Sequence, residues 1–118
     1  MGVENAQTQI NQAVAGWEGV TLQPHRFGGT EYLLGKREFG HIHGNSLIDI
    51  PFPTRVAREL VAAGRAEPHH ILPDSGWVSF YLREEADIQR GIDLLRMSYE
   101  IAVKQKAQPQ HKPLTSNL

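Results

Sequence analysis

Four histidines and one aspartate are the side chains of this 118-residue sequence whose types and spacing could carry chemistry. Two histidines are separated by one residue, two are adjacent, and the aspartate lies between the pairs; the set is His41, His43, Asp49, His69 and His70. Imidazole and carboxylate groups are common ligands of divalent transition metals, and they also line polar pockets for small molecules. The set therefore predicts either a metal site or a polar binding pocket.

The spacing of His41 and His43 matters because both lie in a predicted β-strand. Side chains alternate along a strand, so residues i and i+2 leave the same face about 6–7 Å apart. Two imidazoles at that spacing can converge on one ion, but a divalent metal needs a third and usually a fourth ligand. Asp49 is the nearest candidate, and His69 and His70 could complete the set if these groups converge within about 5 Å of a common point.

The length of the hairpin loop decides whether Asp49 can join the histidines. Gly44-Asn45 is a turn candidate. A two-residue loop would send Asp49 to the face opposite both histidines. A loop of odd length would place them on one face, together with Leu47 and Phe39, and would leave the other face to three isoleucines, Ile42, Ile48 and Ile50. Because register follows the hydrophobic face, we expect the odd loop.

Three functional hypotheses follow from this cluster. The first is a small-ligand pocket lined by the four histidines, with Trp77 as a wall and His25 as a weaker addition. The second is a metal-dependent enzyme that uses the same histidines and keeps an open coordination position. The third is a homodimeric interaction module formed through an exposed sheet edge or the N-terminal helix. Purely structural roles for the histidines as half-buried, hydrogen-bonded residues are the alternative to all three.

Charge and composition exclude several classes of function. The formal net charge is −1, with 12 basic and 13 acidic residues, so no nucleic-acid partner is expected. The absence of cysteine excludes disulfides, zinc thiolate sites and iron–sulfur clusters. No apolar run reaches the roughly 18 residues needed to span a bilayer, and the first residues lack the features of a signal peptide, so we expect a cytoplasmic protein without a membrane partner.

No known catalytic motif is present. The glycines fit neither a phosphate-binding loop nor a dinucleotide-binding turn, and no nucleophile turn is found. The sequence therefore assigns no catalytic residue and no cofactor beyond a possible divalent metal. Three arginines around the predicted middle helix are expected to form a solvated face, with an anion patch as the alternative; they are Arg55, Arg58 and Arg65.

The order of predicted elements indicates a single α+β domain over residues 1–104, followed by a polar tail over residues 105–118 that we expect to be disordered. Helical periodicity predicts an N-terminal, a middle and a long C-terminal helix, over residues 4–17, 54–63 and 84–104. The strand-like segments predict a small, mostly antiparallel sheet of four to five strands, with the helices packed mainly on one face.

Six short motifs occur in a fixed order along the chain. They are Phe27-Gly28-Gly29-x-Glu31, Glu38-Phe39-Gly40-His41-Ile42-His43-Gly44, Asp49-Ile50-Pro51-Phe52-Pro53, Gly64-Arg65-Ala66, His69-His70 and Pro73-x-Ser75-Gly76-Trp77-Val78. This string resembles the luciferase-domain family of small uncharacterised bacterial and fungal proteins, a domain of unknown function, over about residues 17–100. The resemblance implies that the histidine segment and the Ser-Gly-Trp strand belong to one shared site or core. It does not carry over a light-emitting reaction, because 118 residues leave little room to enclose a large organic substrate.

Overall fold

A computed structural model describes residues 2–107 of the chain. Its helices and strands are α1 (Ala6–Ala15), β1 (Val20–His25), β2 (Gly29–Leu34), β3 (Arg37–His43), β4 (Leu47–Pro51), α2 (Thr54–Ala62), β5 (Glu67–Pro68), β6 (Trp77–Tyr81) and α3 (Ala86–Ala107). A single 3₁₀ turn, Arg26–Gly28, separates β1 from β2. The last helix continues three residues beyond its predicted end, and residues 108–118 of the predicted tail lie outside the described residues.

The six strands form one antiparallel sheet in the order β1-β2-β3-β4-β6-β5. The predicted α+β class with three helices is confirmed, but the predicted count of four to five strands is too low. The additional strand is β5, where Glu67 pairs with Ser79 and Pro68 with Val78. A strand of two residues is too short to show an alternating pattern in the sequence, so only its pairing with β6 reveals it.

The hydrophobic core lies between the sheet and the helices α1 and α3. Ala6, Ile10 and Val14 recur every four residues in α1 and are fully buried. Gly40 of β3 allows α3 to approach closely, since a Cβ atom at this position would collide with Cδ2 of Leu95. The α2 helix covers the β5–β6 side of the sheet. None of the helices within residues 2–107 combines the length and the apolar composition needed to cross a membrane.

A β-bulge in β3 reverses the alternation of side chains at Phe39. Glu38 and Gly40 pair with consecutive residues of β2, so Phe39 is the extra residue between them. The Phe39 ring is only 1% exposed and packs in the core among other aromatic rings. The expectation that Phe39 shares a face with His41 and His43 is therefore wrong, because the extra residue shifts the register within the strand.

Candidate functional site

The β3–β4 hairpin places the two spaced histidines and the aspartate on the sheet face opposite α1 and α3. His43 pairs with Leu47 and His41 pairs with Asp49, which leaves a three-residue loop between the strands. Gly44 begins this loop with φ 56°, a backbone conformation that glycine adopts without steric cost. The expected loop of odd length is confirmed, and Asp49 lies directly across the ladder from His41.

Four imidazole rings converge on a single carboxylate oxygen, Oδ2 of Asp49. The distances from this oxygen to the Nε2 atoms are 3.3 Å for His41, 2.9 Å for His43, 3.5 Å for His69 and 3.4 Å for His70. The Asp49 side chain is only 1% exposed. Its second oxygen, Oδ1, accepts a hydrogen bond of 2.8 Å from the hydroxyl of Ser79 on β6. The carboxylate is thus held between two strands and surrounded by nitrogen atoms.

The segment between β5 and β6 delivers His69 and His70 to this oxygen. The Nδ1 atom of His69 accepts hydrogen bonds from the backbone N–H groups of Ile71 and Leu72, at 3.1 and 3.0 Å. A neutral imidazole carries one hydrogen, so these bonds assign that hydrogen to Nε2, the atom that faces Asp49. His69 is therefore placed to donate a hydrogen to Asp49, and it offers no lone pair there.

Glu38 binds the other ring nitrogen of His41. The Nδ1–H group of His41 donates a hydrogen bond to Oε2 of Glu38, and Nε2 faces Asp49. In metal sites, a carboxylate that accepts a hydrogen bond from the imidazole nitrogen not bound to the metal orients the ring and makes it a better ligand. Sequence reasoning missed Glu38 because residues i and i+3 of a regular strand lie on opposite faces. The bulge at Phe39 removes this restriction.

Burial and hydrogen bonding fix the charges of the cluster. Burial alone would lower the pKa of His41, but its hydrogen bonds to Asp49 and Glu38 outweigh burial and raise the pKa to about 9. Burial alone would raise the pKa of Asp49, yet its contacts with His41, Ser79 and His43 hold it well below the ordinary value of 3.8. Burial also lowers the pKa of His69 below 6.5, against the attraction of Asp49. At neutral pH the cluster thus holds an ionised Asp49 beside a protonated His41.

Two aromatic rings flank His41. The ring of His25 lies nearly parallel to it with centroids 4.4 Å apart, and Nδ1 of His25 is 3.3 Å from a carboxylate oxygen of Glu31. The indole of Trp77 lies 5.4 Å from the His41 ring and 6.1 Å from that of His69. One cluster thus contains Asp49 and the four candidate histidines together with His25 and Trp77, and the structure adds Glu38, Glu31 and Ser79 to it.

The ligand-capable atoms have spacings that suit a metal ion. In two groups of three side chains these atoms all lie within 4.8 Å of one another; the groups are His41, His43 and Asp49, and Asp49, His69 and His70. A tetrahedral site with bonds of about 2.0–2.1 Å has distances of about 3.3–3.4 Å between its ligand atoms. The four Asp49–imidazole distances, 2.9 to 3.5 Å, lie around that value.

A comparison with protein families identifies the chain. The model of the Luciferase domain family matches residues 36–98, which is more than half of the chain. The matched segment contains Asp49, the four histidines around it, and also Glu38 and Trp77, whereas His25 precedes it. No curated protein and no solved structure matches the chain. Because the family model covers this much of the sequence, the protein belongs to the luciferase-domain family.

Proposed function

We propose that this protein binds one divalent transition-metal ion through His41, His43, Asp49 and His70. The observation that carries the proposal is the crowding of four Nε2 atoms within 3.5 Å of one oxygen of a buried carboxylate. A carboxylate oxygen offers about two lone pairs, so it cannot accept good hydrogen bonds from four ring nitrogens. A cation among these atoms would satisfy the carboxylate and the imidazole lone pairs together.

Three of the four proposed ligands are held in place by the sheet. His41, His43 and Asp49 lie on adjacent paired strands, and Glu38 orients the His41 ring. His70 would supply the fourth ligand from the segment between β5 and β6; its ligand atom groups with those of Asp49 and His69, and its 38% exposed side chain would have to turn towards His41 and His43. His69 supports the site without joining it, because its Nε2 atom carries the hydrogen.

In the absence of a metal, a proton on His41 supplies the positive charge beside Asp49. An incoming ion must displace that proton from Nε2, so metal binding releases a proton and competes with acid. This competition weakens metal binding at low pH. The Asp49 carboxylate is nevertheless paired with a positive charge in both the metal-free and the metal-bound protein. An unpaired carboxylate at this depth would be strongly unfavourable.

The ligand set and its exposure indicate the chemistry that an ion could supply. Imidazole with one carboxylate suits zinc, iron, nickel or manganese. The side chains of His43 and His70 are 35% and 38% exposed, so one side of the proposed ion faces solvent. Because the four protein ligands would fill a tetrahedral site, water or a substrate oxygen would bind there as a fifth ligand, where the ion would polarise or activate it. This access supports the hypothesis of a metal-dependent enzyme.

The test uses tag-free protein stripped of metal with a chelator and titrated with Zn²⁺, Co²⁺ or Ni²⁺. Calorimetry should give one ion per chain. In the Trp17→Phe variant, Co²⁺ or Ni²⁺ should quench the fluorescence of Trp77, which lies 5.4 Å from the His41 ring. Asp49→Asn should weaken binding by at least about 100-fold, since loss of a mere supporting group costs about 10–100-fold. The control Asp93→Asn changes an exposed acid of α3 and should bind normally.

Three results would overturn this assignment. The first is the absence of saturable binding at about 100 μM of every metal tried. The second is full affinity in Asp49→Asn. The third is two ions per chain, which would mean that His69 and His70 hold an ion of their own and that the hydrogen on His69 is wrongly assigned.

A further inference from the structure

A second candidate binding site lies beside the cluster, between α2 and the segment that links β5 to β6. It is a cavity of about 290 Å³. Residues of α2 spaced three and four apart form one wall; they include Thr54, Ala57, Arg58 and Val61. Pro73 and Trp77 also line the cavity. This volume is at the lower end of the range for small-molecule sites, about 300–1,000 Å³, and it suits a ligand with a single ring.

The lining of this cavity is chemically divided. Alanine, valine, proline and tryptophan residues give it a mainly apolar surface. Such a surface favours an apolar ligand body, and the flat indole suits a ring packed against it. Polar groups are few, and two of them, Thr54 and Arg58, lie one helical turn apart on α2.

Arg58 is the cation at this cavity. Its neighbour Arg55 pairs with Glu59 at 3.1 Å. Within residues 2–107, no carboxylate lies within 4.0 Å of the Arg58 guanidinium, although Asp74 also lines the cavity. A guanidinium group has a planar set of donors that matches a carboxylate, and the Thr54 hydroxyl one turn away could add a further hydrogen bond.

We propose that this cavity binds a small apolar carboxylate with one ring, its carboxylate on Arg58 and Thr54 and its ring against Trp77. This goes beyond the metal site, because none of the proposed metal ligands lines the cavity. The two sites share one residue as a boundary. Trp77 lines the cavity, and its indole lies 5.4 Å from the His41 ring.

The test follows the indole N–H of Trp77 by NMR in chelator-treated Trp17→Phe protein, where it is the one remaining tryptophan. Benzoate should shift this resonance saturably with a Kd of about 1 mM, as expected for a ligand of this size. Benzamide keeps the ring without the charge and should bind about ten-fold more weakly. Acetate keeps the charge without the ring and should also bind about ten-fold more weakly.

Matched variants on α2 sharpen the test. Arg58→Gln should weaken benzoate binding about ten-fold, whereas Arg55→Gln on the same helix should leave it unchanged. Ala62→Phe places a ring in the cavity from an exposed position and should abolish the shift. Asp74→Asn should strengthen binding, because it removes a negative charge from the same lining.

Four results would overturn the proposal. They are no saturable shift at about ten times the expected Kd, equal binding of benzamide and benzoate, equal effects of the two arginine variants, and an unchanged titration in Ala62→Phe. The measurement uses metal-free protein, so failure of the metal assignment would leave it intact. Conversely, a protein that binds metal but not benzoate would refute only the cavity proposal.

Discussion

Glu38 and His41 form a hydrogen bond on the sheet face opposite α1 and α3, although three positions separate them within one strand. In a regular strand their side chains would lie on opposite faces. The bulge at Phe39 brings them together, because it adds one residue between them without a partner on β2. The same irregularity buries an aromatic ring in the core and supplies His41 with its supporting carboxylate.

The contribution of Glu38 can be measured directly. Glu38→Gln should lower the pKa of His41 from about 9, because the carboxylate's hydrogen bond and charge both favour the protonated ring. The change should also weaken metal binding by about 10–100-fold, the usual cost of losing a supporting group. NMR titration of the His41 ring and calorimetry would measure the two effects. An unchanged His41 titration would contradict the assigned hydrogen bond.

The stability of the metal-free protein should depend on pH through His41 and Asp49. The pKa of His41 rises from 6.5 to about 9 on folding. Its contribution to the free energy of unfolding is therefore complete below pH 6.5 and is lost as the pH rises through about 9. The pKa of Asp49 is depressed, so its contribution is present above pH 3.8 and is lost as the pH falls below that value. The groups that face His41 are Glu38, Asp49, His25, His43 and Trp77.

Urea denaturation of the metal-free protein between about pH 4 and pH 10 tests this dependence. The difference in unfolding free energy between the unmodified protein and His41→Gln should be largest near pH 6. This difference should shrink as the pH approaches 10, where the His41 ring is neutral in both the folded and the unfolded protein. A difference that stays constant over this range would show that the replacement acts through packing alone.

The two adjacent histidines should behave differently when each is replaced. His70→Ala should weaken metal binding about ten-fold, because water can take the place of a ligand on an exposed segment. His69→Ala should leave the stoichiometry at one ion, but it removes the acceptor for the N–H groups of Ile71 and Leu72. Its main effect should be a loss of stability of about 1 kcal/mol. Calorimetry and urea denaturation separate these outcomes, and a larger loss of metal affinity in His69→Ala than in His70→Ala would reverse the assignment.

The contact between β3 and α3 should tolerate no side chain at Gly40. Gly40→Ala would force its Cβ atom against Cδ2 of Leu95 and should destabilise the protein by about 1–3 kcal/mol. Shortening the opposing side chain with Leu95→Ala in the same protein should make the Gly40→Ala change less costly. Gly16→Ala is the control, because Gly16 has φ −83° and only an ordinary contact at 3.7 Å. A double-mutant cycle measured by urea denaturation would show additive effects if the two positions did not touch.

Much of the fold was predictable because it depends on local periodicity. Ala6, Ile10 and Val14 mark the buried face of α1, and the alternation from Trp77 to Tyr81 marks β6. The hairpin register was predictable because only a loop of odd length separates Ile42 and Ile48 from the polar residues. The two-residue β5 and the bulge at Phe39 were not predictable, since neither leaves a repeating pattern.

The sequence by itself determined that His41 and His43 leave one face of a strand and that Asp49 joins them across a hairpin, because alternation and hydrophobic register act over a few residues. Only the tertiary structure decided that His70 reaches the same carboxylate from 21 positions away, and that Glu38 turns towards His41. The first depends on how the segment between β5 and β6 folds over the sheet, and the second depends on one extra residue in a ladder. Packing between distant parts of the chain sets the first, and pairing between neighbouring strands sets the second; neither leaves a repeating pattern in the sequence.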